Sequence, residues 1–270
     1  MKTLNDEFTS VYDELPLWSA PFGLKLLEEV PLKRNIKALD IGFGAGFPLL
    51  ELAQRLGESS VVYGIDLWKE AIDRAKEKIN VMGLKNVRIY MGSAESMPFR
   101  DGYFDLVTSN NGLNNVPDMN IALKEANRVA KKGAPLFFTV NLPGTMNEFY
   151  SIFEAVLLSH GMHNEIEKMK THISDKRKSI DEISQLITVN GFDLTKVKED
   201  NFHMKFMDGT TFFNHFFIKI AFLESWQQIV PMKEVRNIFA EIEDRLNLYS
   251  KDKGCLSLTI PFALFSCDKK

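Results

Sequence analysis

The chain has 270 residues, 45% of them hydrophobic and 26% charged, with a formal net charge of -3. That length and balance fit a globular protein built on one large α/β domain, or on one domain carrying an insertion. They supply no basic footprint for nucleic acid, and no apolar run reaches the ~20 residues of a membrane helix.

The closest approach to such a run, 212–221, is broken by His215 and Lys219. The first residues carry Asp6 and Glu7 where a signal peptide would have an apolar core. The two cysteines, Cys255 and Cys267, lack a CxxC spacing and a nearby His cluster. The expectations are therefore no metal site, no nucleic acid, no membrane span and a reducing, cytoplasmic location. Oligomeric state is not readable.

In chain order, residues 37–42 predict a strand ending in a glycine turn, and 48–56 a helix with Pro48 near its first turn and Gly57 as its stop. A second strand follows at 61–66. A helix at 70–82 puts Ala71, Ile72, Ala75 and Ile79 on one face, closed by Gly83. Strands are predicted at 87–91, 104–109 and 134–140. Between the last two lies a helix at 119–132, with Ile121, Leu123, Ala126, Val129 and Ala130 facing inward. Strand and helix alternating in this way imply right-handed crossovers and a mostly parallel sheet with helices on both faces. Ligands bind such sheets at the carboxyl ends of the strands.

Residues 144–192 read as a helical insertion and return helix. The stretch 193–270 reads as two last strands, 194–207 and 255–267, around a helical insertion at 209–253. Seven strands in all are expected. Pro261 in the last one suggests an edge position or a bulge. Ten of the 21 phenylalanines follow residue 200. They suit a core beneath the inserted helices, and equally a dry helical cover favouring an apolar or aromatic ligand.

The chemistry concentrates in Asp40-Ile41-Gly42-Phe43-Gly44-Ala45-Gly46. A strand, glycine turn and helix present backbone N–H groups to a ligand, a weak signal alone. Three details narrow it. The glycines are spaced GxGxG, with Phe47 where a GxGxxG fingerprint has its last glycine. Asp40, two residues before the first glycine, would oppose a pyrophosphate but tolerate an ammonium and a sulfonium. Asp66 ends the second strand 20 residues after Gly46, where an acid can accept from a ribose diol. The alternative for Asp66 is a cap on the next helix.

Leu39 to Gly46 resembles the first motif of class I S-adenosylmethionine-dependent methyltransferases, and Gly64-Ile65-Asp66 the second. Residues 92–99 are similar to the adenine-side loop of the subgroup containing ubiquinone/menaquinone methyltransferases, and 104–107, 125–129 and 132–134 to its next block. The ordered match covers residues 36–143, and it implies a Rossmann-like, seven-stranded fold.

The resemblance implies S-adenosylmethionine as cofactor and S-adenosylhomocysteine as its product. Asp40, Gly42, Phe43, Gly44 and Gly46 would hold the methionine end, with Asn110 passing beside it. Asp66 and Leu67 would hold the ribose, and Ser93, Ala94 and Glu95 the adenine. Ser93 departs from the acid usual in the family. The resemblance also implies an N-terminal helical segment, 1–35, over the cofactor site, with Tyr12 and Trp18 as substrate walls.

Asn111 and Asn115 are candidates for the acceptor, or simply members of an Asn/Gly-rich turn. His203 and His215 are candidates for a general base, or structural histidines. The expected function is methyl transfer to a small-molecule acceptor of apolar or aromatic character. Two other readings stay open: a regulatory cofactor-binding protein without catalysis, and a nicotinamide-dependent oxidoreductase.

Overall fold

A computed structural model describes residues 18–270. The chain forms two compact units. The first takes the described residues up to Asn141, together with Ser179–Glu199 and Phe262–Lys270; the second takes Leu142–Lys178 and Asp200–Pro261.

The first unit begins with α1 (Ala20–Glu29), with Pro21 in its first turn, and then alternates strand and helix. The strands β1 (Lys37–Ile41), β2 (Val61–Asp66), β3 (Val87–Met91), β4 (Leu106–Asn110), β5 (Pro135–Asn141), β6 (Phe192–Phe206) and β7 (Leu256–Lys269) form one sheet in the order β3-β2-β1-β4-β5-β7-β6. β1 pairs in parallel with β2, from Lys37↔Val61 to Ile41↔Ile65, and with β4, from Ala38↔Leu106 to Asp40↔Thr108. β5 pairs antiparallel with β7, from Pro135↔Asp268 to Asn141↔Phe262. Strand order reverses between β1 and β4, which opens a crevice at their carboxyl ends.

The helices form where the apolar periodicity falls. α2 (Leu49–Leu56) buries Leu49, Leu50, Leu52, Ala53 and Leu56, and ends at Gly57 in a positive-φ conformation. α3 (Lys69–Met82) buries Ala71, Ile72 and Ala75 and ends at a left-handed Gly83. α4 (Met119–Val129) starts on Asp118, whose carboxylate accepts from Asn120 N at 2.8 Å and Ile121 N at 3.2 Å. Its buried stripe runs through Met119, Ala122, Leu123, Ala126 and Val129. Ile121, expected inward, lies beside that stripe and is exposed. Leu52, Ala53, Ala38 and Val62 join one core cluster with Leu26 and Leu27 of α1. Full burial of each such leucine contributes roughly 1.5–3 kcal/mol.

Pro261 does not mark an edge, because β7 lies inside the sheet between β5 and β6. Its ladder with β5 begins one residue later, at Asn141↔Phe262, so that ladder needs no N–H from the proline. The Pro261 carbonyl accepts from Leu142 N at 2.9 Å.

The second unit contains α5 (Asn147–Ser159), α6 (His163–Lys176), α8 (Gly209–Asn214), α9 (Phe216–Ile218), α10 (Glu224–Gln227) and α11 (Val235–Lys253), with a π-helical turn at Lys219–Leu223. α7 (Ile180–Val189) returns the chain to the first unit. The late phenylalanines of the second unit largely pack its core. Phe149 lies 4.3 Å from the ring centre of Trp226 and 5.6 Å from that of Phe212. No helix among the described residues is long and apolar enough to cross a membrane.

Candidate functional site

Gly42, Gly44 and Gly46 all have positive φ, which only glycine adopts freely. Gly42 N donates to Ile65 O at 2.9 Å. A Cβ on Gly42 would stand 2.8 Å from the Cα of Gly112, and one on Gly112 would stand 2.4 Å from Ile41 O. Two backbones therefore touch at the mouth of the β1/β4 crevice, with no room for side chains. Phe43 does not turn its ring to a ligand: it is 1% exposed, and a Cβ on Gly64 would meet that ring at 2.6 Å. Its backbone alone remains in the loop.

Asp40, one residue before the end of β1, has its carboxyl fully buried. Oδ1 accepts from Thr108 Oγ1 at 2.8 Å, while Oδ2 has no hydrogen-bond partner among the described residues. Burial pushes its pKa up to about 7; the Thr108 hydroxyl opposes this, the Asp66 charge adds to it, and the Leu49 backbone N–H facing the carboxyl opposes it more weakly. A buried carboxyl with one bare oxygen is a receptor for a cation or a donor.

Asp66 at the end of β2 is half-buried. It accepts from Gly44 N through Oδ2 and from Trp68 N through Oδ1, both at 2.8 Å. It therefore fastens the glycine turn, and its remaining lone pairs are open to a diol. Burial raises its pKa, against the backbone donors at Trp68 and Gly44. Leu67 beside it is 49% exposed.

The loop after β3 is held by hydrogen bonds. Ser93 Oγ accepts from Glu95 N at 3.1 Å, and Ala94 is buried. Glu95 is turned to α4, where Oε1 accepts from Asp118 N at 2.6 Å. Glu125 accepts from Met97 N, and Arg128 donates to the carbonyls of Met97 and Phe99. Thus Glu95 and the 125–128 turn shape the loop, leaving Ser93 and the Ala94 backbone as its ligand-facing candidates.

Asn110 is a clamp. Its Nδ2 donates to Ser19 O at 3.0 Å and its Oδ1 accepts from Thr139 Oγ1 at 2.9 Å. Trp18, next to Ser19, packs edge-on against Phe22 at 5.8 Å. Asn111 has φ +58 and a buried Oδ1 with no partner among the described residues. Asn115 is exposed, and its amide closes the turn on Asn111 O at 2.9 Å. Tyr12 lies outside the described residues.

The two histidines belong to the second unit. His203 is exposed on β6. His215 packs on Phe206 at 5.3 Å, its Nδ1 buried and unbonded, and burial lowers its pKa. Sequence reasoning passed over Thr108, Ser109, Gly112 and Thr139. Ser109 Oγ donates to Ile41 O at 2.8 Å and accepts from Leu113 N, tying β4 to the glycine turn.

Residues 32–192 match the family described as methyltransferase domain. The chain is 38% identical over 109 residues to the demethylmenaquinone methyltransferase of Staphylococcus aureus (strain MRSA252), covering 40% of this chain and 44% of that protein. It is 34% identical over 129 residues to the demethylmenaquinone methyltransferase of Anoxybacillus flavithermus, covering 48% and 54%. These matches span about half the length of the curated relatives. Among solved structures, the YcgJ protein of Bacillus subtilis aligns with TM-score 0.60 and 19% identity, over 93% of this chain and 98% of that one. A SAM-dependent methyltransferase of Aquifex aeolicus aligns with TM-score 0.56 and 24% identity, over 72% and 92%. Both likenesses are of fold.

Proposed function

Since the chain belongs to the S-adenosylmethionine-dependent methyltransferases, we propose that it methylates a small apolar or aromatic acceptor, with quinol-like rings as the leading class. The observation that carries the cofactor side is the buried Asp40 carboxyl with its bare Oδ2, beside a turn whose glycines leave backbone exposed. When bound, the cofactor supplies a methyl group on a sulfonium leaving group. Asp40 and Gly42–Gly46 would hold its methionine end and Asp66 its ribose, with Ser93 and Ala94 at the adenine. Methyl transfer of this kind needs alignment and exclusion of water more than a strong base. An exposed His203 is therefore no obstacle.

For the acceptor, support comes from the names of the relatives, demethylmenaquinone methyltransferases, which match over the cofactor-binding part. Calorimetry with S-adenosylhomocysteine should show binding in the parent and none in Asp66→Ala or Gly44→Val. Gly44 sits at φ +54, where a β-branched residue is strained. Undiminished binding in both variants would contradict the site. A turnover screen over quinols, phenols, amines and fatty acids then tests the acceptor: methylation confined to amines or fatty acids would overturn the aromatic assignment.

A further inference from the structure

The second unit buries a charge that methyl transfer does not explain. Arg177, the extended C-cap residue that follows α6, is 5% exposed and is the one buried cation among the described residues. Its Nε and Nη1 are buried and make no hydrogen bond there. It forms no ion pair among the described residues. The guanidinium lies 5.6 Å from the ring centre of Tyr150, whose hydroxyl accepts Trp226 Nε1 at 2.9 Å.

A helix C-terminus attracts cations, but the side chain makes no bond to the last carbonyls of α6. A cation–π contact offsets only part of the desolvation of a guanidinium. Water could fill a donor site without neutralising the charge. A buried guanidinium with unpaired donors is instead the ordinary receptor for a planar oxyanion.

We infer that Arg177 anchors a binding site for a small organic carboxylate, its body set against the aromatic ground of Tyr150. One guanidinium matches one negative charge. His172 on α6 does not add a second, because burial, then the Lys176 and Arg177 charges, push its pKa down to about 4. A monoanion is thereby favoured over a phosphate dianion.

The probe is benzoate, titrated into the full chain without added cofactor at fixed ionic strength. Benzyl alcohol serves as the neutral counterpart, and inorganic phosphate as the competing anion. Benzoate should bind at least tenfold more tightly than either, and Arg177→Met should erase that preference. Without benzoate, Arg177→Met should melt no lower than the parent, because it removes an uncompensated charge. Should that variant not fold, Arg177→Gln carries the same comparison. Equal affinity for benzoate and benzyl alcohol, tighter binding of phosphate, or benzoate binding indifferent to the substitution would each overturn the proposal. So would a destabilised Arg177→Met beside a parent whose melting ignores benzoate: the guanidinium would then be a structural group. Because no cofactor is present, none of these failures bears on methyl transfer.

Discussion

Asp40 couples the cofactor site to pH. Its pKa in the fold, about 7, stands above the ordinary 3.8, mainly through burial. The folded chain therefore keeps a proton that the unfolded chain releases. The resulting stability is complete below about pH 4 and is lost as pH rises towards 7. At ~1.4 kcal/mol per unit, the loss is roughly 4 kcal/mol. Asp40→Asn keeps an acceptor for Thr108 and removes this titration. It should melt higher than the parent at pH 8 and show a flatter melting profile from pH 5 to 8. The same substitution should weaken S-adenosylhomocysteine at least tenfold, because an ammonium loses its carboxylate. In the parent, that ligand should bind more tightly from pH 6 to 8; pH-independent calorimetric affinity would remove Asp40 from the ammonium contact. Asp40 and Asp66 were legible because spacing from the glycines marks them. Thr108, Ser109 and Thr139 were not, since short polar residues read as ordinary strand formers. For Thr108 and Ser109 the usable signal was their run into Asn110 within a strand buried at every position, where each polar group must find a partner; Thr139, on the neighbouring β5, offered no such run. Asn111 and Asn115 stayed ambiguous for a related reason: turn chemistry and ligand chemistry use the same amides.

Helices gave up their positions to periodicity, and the functional meaning of their glycines did not follow. α2, α3 and α4 carry regular apolar stripes, so their limits fell within a few residues of those expected. The stretch 209–227 lacks such a stripe: it breaks into α8, α9, a π-turn and α10, held by ring packing rather than by local pattern. Gly23 within α1 reads as a poor helix former, and an alanine there would normally gain about 1 kcal/mol. Its surroundings reverse the sign. A Cβ would fall 2.2 Å from Phe47 Cε1 and 2.9 Å from Asn110 Nδ2, itself held by Ser19 O. Overpacking of that kind costs about 1–3 kcal/mol. Gly23→Ala should thus destabilise the protein in urea titrations. Hydrogen exchange should rise in α1 around Ser19, where the Asn110 clamp is pushed away. A stabilised variant with unchanged exchange would show that Phe47 yields freely.

At the scale of the molecule, neither unit is a continuous piece of chain. The chain passes between them after Asn141, Lys178, Glu199 and Pro261. Two of these passages occur inside strands, since β6 runs Phe192–Phe206 and β7 runs Leu256–Lys269. Each of those strands gives residues to both units, so loss of either unit strips structure from a strand of the other. The expected consequence is one cooperative unfolding transition. Trp226 reports on the second unit, with its indole bonded to Tyr150, whereas Trp18 and Trp68 lie in the first. In a Trp18→Phe/Trp68→Phe background, Trp226 fluorescence and the far-ultraviolet signal should melt together. S-adenosylhomocysteine at about a hundredfold excess over its dissociation constant adds about 2.7 kcal/mol to whatever unfolds with its site. If the strands transmit that stabilisation, the Trp226 transition must rise along with the rest. A Trp226 midpoint that ignores the ligand, while the far-ultraviolet midpoint climbs, would mean that the two units melt independently despite sharing β6 and β7.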